Sequence, residues 1–169
     1  VSRGPVFFGQ ERVGLHGRVF AIYKFRTMTA EQLPGHASRI TVGADRRITS
    51  AGAFLRKYKL DELPQFINVL RGNMSVVGPR PEVPHYVAMY PPETRERVLS
   101  VRPGITDLAS IEYRDESALL GAAEDPEAFY VQVILPKKLD YCLRYVAGRS
   151  LGLDMNIIWR TVLAILNRR

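Results

Sequence analysis

The chain has 169 residues, 46% hydrophobic and 24% charged, which suits one folded domain and excludes wholesale disorder. Its one cysteine, Cys142, excludes an intrachain disulfide and a Cys-based zinc site, and fits a reducing compartment. The net charge of +7 is lopsided: residues 1–60 hold 11 Lys/Arg against 3 Asp/Glu (+8), and residues 61–169 hold 13 against 14 (−1).

Nineteen of the 24 basic residues are Arg, whose planar fork pairs with phosphate oxygens in a bidentate way. Such a surplus points to an anionic partner: a nucleotide, a nucleic acid or a membrane surface. His16, His36 and His85 show no ligand spacing. No stretch approaches the ~18 consecutive apolar residues of a membrane span.

The chain opens at Val1 without a Met and is expected to continue a longer protein. Residues 6–12 and 18–25 are β-rich runs around Gly14-Leu15-His16-Gly17 and predict a hairpin. Residues 29–47 are polar, with Pro34, Gly35 and Gly43, and read as a mobile loop. Thr49 or Ser50 is placed to cap a short helix carrying Phe54, Leu55 and Tyr58. A second helix is expected over 61–70, where Leu63, Phe66, Ile67 and Leu70 share one face, and Gly72-Asn73 ends it. Residues 74–77 form a short buried strand, cut off by Gly78-Pro79-Arg80-Pro81.

The second half reads as mostly helical. Pro92-Glu93 starts a charged helix to about residue 100. Arg102-Pro103-Gly104-Ile105-Thr106 reads as a turn and 108–113 as a strand. Asp125-Pro126 starts another helix, which Pro136 is expected to break or kink. The last helix is expected over 154–167, with Ile158, Val162, Ile165 and Leu166 on one stripe. That stripe suits core contact or an interfacial membrane surface, and core contact is the simpler reading.

Four segments have residues suited to chemistry. In Arg56-Lys57-Tyr58-Lys59-Leu60-Asp61-Glu62, two adjacent carboxylates come after three cations and open the second helix. Acids at a helix start are also ordinary caps, favoured by the macrodipole. The same physics keeps a carboxylate ionised as a nucleophile, with its neighbour free to hold a hard cation such as Mg²⁺. Arg56 would then neutralise phosphate oxygens. In Gly78-Pro79-Arg80-Pro81-Glu82, two prolines fix the direction of Arg80. In Tyr23-Lys24-Phe25-Arg26, alternation puts both cations on one strand face. Arg102-Pro103-Gly104-Ile105-Thr106 leads into Glu112-Tyr113-Arg114-Asp115-Glu116, which alone reads as a solvated charged loop.

The order and wording of these motifs resemble the bacterial sugar transferases of the monotopic phosphoglycosyl transferase family. The motifs are Gly4-Pro5-Val6-Phe7-Phe8, Gln10-Glu11-Arg12-Val13-Gly14, Tyr23-Lys24-Phe25-Arg26-Thr27-Met28, Leu60-Asp61-Glu62-Leu63-Pro64-Gln65, Met74-Ser75-Val76-Val77-Gly78-Pro79-Arg80-Pro81 and Arg102-Pro103-Gly104-Ile105-Thr106. Together they span nearly the whole chain.

The resemblance implies one catalytic domain over residues 1–169, α/β (α+β) in class, with a small antiparallel sheet and packed and interfacial helices. It implies an enzyme at the cytoplasmic face of the bacterial inner membrane, with an apolar re-entrant helix upstream. The reaction implied moves a sugar phosphate from a UDP-sugar to polyprenyl (undecaprenyl) phosphate, releasing UMP, with Mg²⁺ as cofactor. By the same match Asp61 is the nucleophile, and Glu62 with Asp61 the metal site. Arg56, Arg80, Arg114, Lys24 and Arg26 are the implied substrate-binding residues.

The segment Asp107-Leu108-Ala109-Ser110-Ile111-Glu112 departs from the Gly-rich, Gln-containing version usual in the family and leaves the sugar open. Two other readings compete: a non-catalytic basic scaffold, and a nucleic-acid-binding module. The arginines sit inside Gly/Pro motifs rather than along one helix, so no nucleic acid is expected as a partner.

Overall fold

The computed structural model describes residues 4–29, 45 and 47–167. The expected loop at 29–47 lies, apart from residues 29, 45 and 47, outside them.

Strands β1 (Phe7–Val13) and β2 (Val19–Phe25) form the expected antiparallel hairpin, in register from Phe7 opposite Phe25 to Val13 opposite Val19. A 3₁₀ turn (Leu15–Gly17) closes it, with His16 at φ 53° and Gly17 at φ 78°. Thr49 caps α1 (Ser50–Lys57) by accepting the Gly52 N–H at 2.9 Å. Gly52 is obligatory there, because a Cβ would overlap the Thr27 carbonyl oxygen.

The second helix begins as a 3₁₀ turn (Leu60–Glu62) and resumes as α2 (Gln65–Leu70). Its faces are the reverse of the expected ones. Asp61, Glu62, Gln65 and Asn68 are buried, while Leu63, Phe66, Ile67 and Leu70 are exposed. Asn68 explains the docking: its amide accepts from Tyr23 N–H at 3.1 Å and donates to the Ala21 carbonyl at 2.8 Å. A polar side chain thus extends the edge of β2, and the apolar side turns outward.

Strand β3 (Ser75–Val77) leads through α3 (Pro84–Val87) and α4 (Pro92–Val98) to β4 (Gly104–Thr106). The expected turn at Gly104–Thr106 is therefore a strand, parallel to β3, with Ser75 opposite Gly104 and Val77 opposite Thr106. Two glycines permit the pairing, since a Cβ on Gly104 would overlap the Gly78 nitrogen.

The expected strand at 108–113 is instead a helix, α5 (Leu108–Glu112). Asp107 overrides the β-like sequence by accepting the Ser110 N–H at 2.6 Å as its N-cap.

Helices α6 (Glu116–Gly121) and α7 (Pro126–Phe129) come next, the latter capped by Asp125 as expected. A π-helical turn (Tyr130–Ile134) runs into α8 (Leu135–Gly148). Pro136 sits in the first turn of α8, directly after the π-helical turn, so the expected break takes the form of a change in helical winding rather than an end. The final helix α9 (Leu151–Leu166) starts earlier than expected because Ser150 caps it through Leu153 N–H.

The main core packs α3, α4 and α8 through residues such as Tyr86, Val98, Leu139 and Cys142. A smaller core joins Val77, Tyr145 and Ile157. Core contact for α9 thus rests on Ile157, at 0% exposure. The expected stripe is only partly buried, with Val162 and Leu166 exposed beside Trp159.

Candidate active site

Lys59 turns the chain after α1 in a left-handed conformation (φ 57°) and so drives Asp61 and Glu62 inward. Neither carboxylate caps a helix. The capping alternative is therefore corrected: both side chains are 7% exposed, and their burial needs another reason.

Glu62 is bound from two sides. Its Oε1 accepts from Lys24 Nζ on β2 at 2.8 Å and from Arg80 Nη2 at 2.5 Å, and its Oε2 faces Arg80 Nη1 at 3.3 Å. Burial alone would push the Glu62 carboxyl up, but Arg80, then Lys24 and Lys59, hold it well below the usual carboxylate range. Burial in turn lowers the Lys24 ammonium against the pull of Glu62, and Glu62 raises Arg80. Glu62 is thus a fixed anion between two fixed cations.

Arg80 is aimed by its backbone as well as its prolines. Its N–H donates to Asp107 Oδ2 at 3.0 Å, and Asp107 is 3% exposed. The cap of α5 therefore also anchors the loop that presents the guanidinium.

Asp61 differs from its neighbour. Its Oδ1 is buried and has no hydrogen-bond partner among the described residues. A buried carboxylate oxygen without a donor is costly. It persists here beside the Lys24–Glu62–Arg80 cluster, whose cations attract further anions.

The other expected site residues lie around this cluster or apart from it. Arg56 Nε donates to Thr27 Oγ1 at 2.8 Å, on the flank between α1 and β2. Arg26 lies just past β2, with its guanidinium packed on Gly4, where a Cβ would stand 2.6 Å from it. Arg114 is half exposed between α5 and α6 and pairs with Asp115 at 3.4 Å. The structure therefore joins Glu62, Lys24 and Arg80 in one ion-paired cluster, with Asp61 near enough to act on the Lys24 charge, and pairs Arg114 with Asp115.

Sequence reasoning missed Gln65, Asn68 and Asp107. Gln65 and Asn68 fall four and seven residues after Asp61, a polar stripe at helical spacing that carried the signal.

The bacterial sugar transferase family matches residues 1–168. A UDP-glucose:undecaprenyl-phosphate glucose-1-phosphate transferase of Klebsiella pneumoniae is 41% identical over 95% of this chain and 32% of its own length. A UDP-N-acetylgalactosamine-undecaprenyl-phosphate N-acetylgalactosaminephosphotransferase of Aeromonas hydrophila is 37% identical over 98% of this chain and 36% of its own. An uncharacterized sugar transferase of Bacillus subtilis (strain 168) is 38% identical over 96% of this chain and 70% of its own. The chain spans about one third of the length of the first two relatives. With this match over nearly its whole length, the chain belongs to the bacterial sugar transferase family.

Proposed function

We propose that residues 1–169 form the catalytic domain of an enzyme that moves a sugar 1-phosphate from a UDP-sugar to undecaprenyl phosphate at the cytoplasmic face of the bacterial inner membrane. The observation that carries this reading is the unpartnered, buried Oδ1 of Asp61 beside the Lys24–Glu62–Arg80 cluster. The names of the relatives support the same substrates.

In the first half-reaction an Asp61 carboxylate oxygen attacks the phosphorus that bears the sugar. The bond from that phosphorus to the bridging oxygen breaks, and UMP leaves with the electron pair. In the second, an oxygen of undecaprenyl phosphate attacks the same phosphorus and Asp61 is released as a carboxylate. Two anionic substrates thus visit in turn rather than together.

Arg80 and Lys24, held by Glu62, keep positive charge beside the transferred group without reorganising. Arg56 and Arg26 are the further cations assigned to phosphate, and Arg114 the one assigned to the nucleotide-sugar.

Asp61 and Glu62 are the carboxylates that would hold Mg²⁺, and the orphaned Asp61 oxygen fits a hard cation. Such an ion takes one or two carboxylates and fills its shell with phosphate and water. When bound, the ion offsets the negative charge of the diphosphate.

A membrane surface is the proposed platform. No helix among the described residues is long and apolar enough to cross a bilayer. Yet α1, α2 and α9 expose Phe54, Leu70 and Trp159.

The test is intact-protein mass spectrometry after incubation with Mg²⁺ and a panel of UDP-sugars. A sugar-phosphate adduct is expected on the wild type and not on Asp61→Asn, with turnover also lost in Glu62→Gln. Absence of both adduct and released UMP would overturn the reading.

A further inference from the structure

Gln65 is 1% exposed, and its Nε2 finds no hydrogen-bond partner among the described residues. Leaving a buried amide donor unpaired costs about 1–3 kcal/mol. The same helix shows what a structural amide looks like: Asn68, equally buried, makes two hydrogen bonds to β2.

Gln65 also follows Asp61 on the same buried side of the chain. Leu63 (φ −54°, ψ −37°) and Pro64 (φ −61°, ψ −14°) carry right-handed helical backbone from the Leu60–Glu62 turn into α2. Asp61 and Gln65, four residues apart, both face inward, while Leu63 and Phe66 face out. Between Glu62, held by two cations, and Asn68, held by β2, the inner side thus presents one orphaned acceptor and one orphaned donor. A cation on Asp61 would satisfy the first and repel the second. A phosphoryl group bonded to Asp61 offers oxygens to the second.

We propose that Gln65 is a further substrate-contacting residue, whose side-chain amide donates to a non-bridging oxygen of the phosphoryl group transferred at Asp61. The inference rests on the reading of Asp61 as nucleophile. As the Asp61 oxygen bonds to phosphorus and the bond to UMP breaks, charge shifts among the oxygens of that group. A donor fixed in place beforehand stabilises the charge without reorganisation. Lys24 and Arg80 are already drawn to Glu62, whereas the Gln65 amide has no competing acceptor.

The experiment compares wild type, Gln65→Met and Gln65→Glu in the first half-reaction, with Mg²⁺ and the UDP-sugar that labels the wild type. Adduct formation is timed by intact mass, and thermal midpoints are recorded alongside. Methionine keeps the volume and removes the orphaned amide, so its midpoint is expected to hold or rise. Its rate of adduct formation is expected to fall about 100-fold, the usual loss for one such donor. The UDP-sugar concentration at half-maximal rate should change little. Glutamate replaces the donor with an anion and should lose more.

A wild-type rate in Gln65→Met overturns the inference alone. So does a rate loss accompanied by a lowered midpoint in both variants, because that marks a packing role. No adduct on the wild type removes the reading of Asp61, and this inference with it.

Discussion

Two inward-facing glutamates, Glu62 and Glu82, lie in clusters that look alike in charge and differ in completeness. Glu62 sits between Lys24 and Arg80. Glu82 sits between Arg12, whose Nη1 is 3.4 Å from Oε2, and Lys138, whose Nζ is 3.8 Å from Oε1. Around Glu82 the bonding continues: the Tyr130 hydroxyl donates to Oε1 at 2.6 Å, and Lys138 also pairs with Glu116 at 2.7 Å. Burial, then Glu82, pushes the Tyr130 hydroxyl up, so it stays a donor.

The Glu62 cluster stops short. Beside it remain the Asp61 oxygen and the Gln65 amide, both buried and both unpartnered. The contrast separates two uses of buried charge. One donor is left over beside Glu82 as well, the buried Arg12 Nε. The other Arg12 nitrogens bond Glu82, the Pro81 carbonyl and Gln10, and with Lys138 the cluster stitches β1, the loop after β3 and α8 together. Beside Glu62 two orphaned groups of opposite kind, an acceptor and a donor, lie on one short helical stretch, at a cost in stability.

Breaking the Glu82 cluster should have the larger effect on folding. Glu82→Ala leaves Arg12, Lys138 and Tyr130 without their common acceptor in largely buried surroundings, and is expected to cost about 3–5 kcal/mol. Asp61→Ala removes an acceptor that nothing satisfies, and should leave stability equal or higher. Urea midpoints of the two variants check the pair. A destabilised Asp61→Ala with a tolerated Glu82→Ala would reverse the assignment of the two clusters.

Much of this architecture was legible in the sequence, and the rest was hidden for identifiable reasons. The hairpin and the Thr49 and Asp125 caps are local patterns, and they stand where local chemistry put them. Strand β4 escapes a sequence reading because its partner β3 lies far off in the chain, and only the close approach at Gly78 and Gly104 shows that they pair. Helix α5 reads as a strand because several β-prone residues hide the one capping bond from Asp107 that outweighs them. Helix α2 is legible, but with its faces exchanged. Apolar periodicity predicts an inward apolar face, whereas Asn68 and Glu62 find better partners on β2 and Arg80 than water offers.

Acid should sharpen the contrast at moderate size. The Glu62 carboxyl is held well below its usual value of 4.5, so the unfolded chain takes up its proton before the folded one does. The stabilisation is complete above that usual value and is lost as pH falls toward the depressed one. Thermal midpoints of the wild type should therefore fall more steeply below about pH 4.5 than those of Glu62→Gln, which cannot titrate there. Parallel curves would mean that Glu62 is not held by Arg80 and Lys24 in solution.

The smallest effect on folding is expected on the outer face of α2, and it bears on why the site is built this way. Leu70 is 88% exposed and Phe66 46% exposed. Exchanging Leu70 for Ser removes little buried surface and should change stability by no more than about 0.5 kcal/mol, whereas Phe66, more than half buried, would cost more. A helix that hides Asp61, Gln65 and Asn68 while showing Phe66 and Leu70 to the outside needs an apolar environment for those side chains, and a lipid surface supplies one. Co-sedimentation with anionic phospholipid vesicles should then weaken for Leu70→Ser while the urea midpoint holds. Unchanged vesicle binding would assign that face to another apolar partner. Weakened binding would mean that the carboxylates are held on the inner side of a helix whose outer side meets lipid, so that substrates approach Asp61 past that surface.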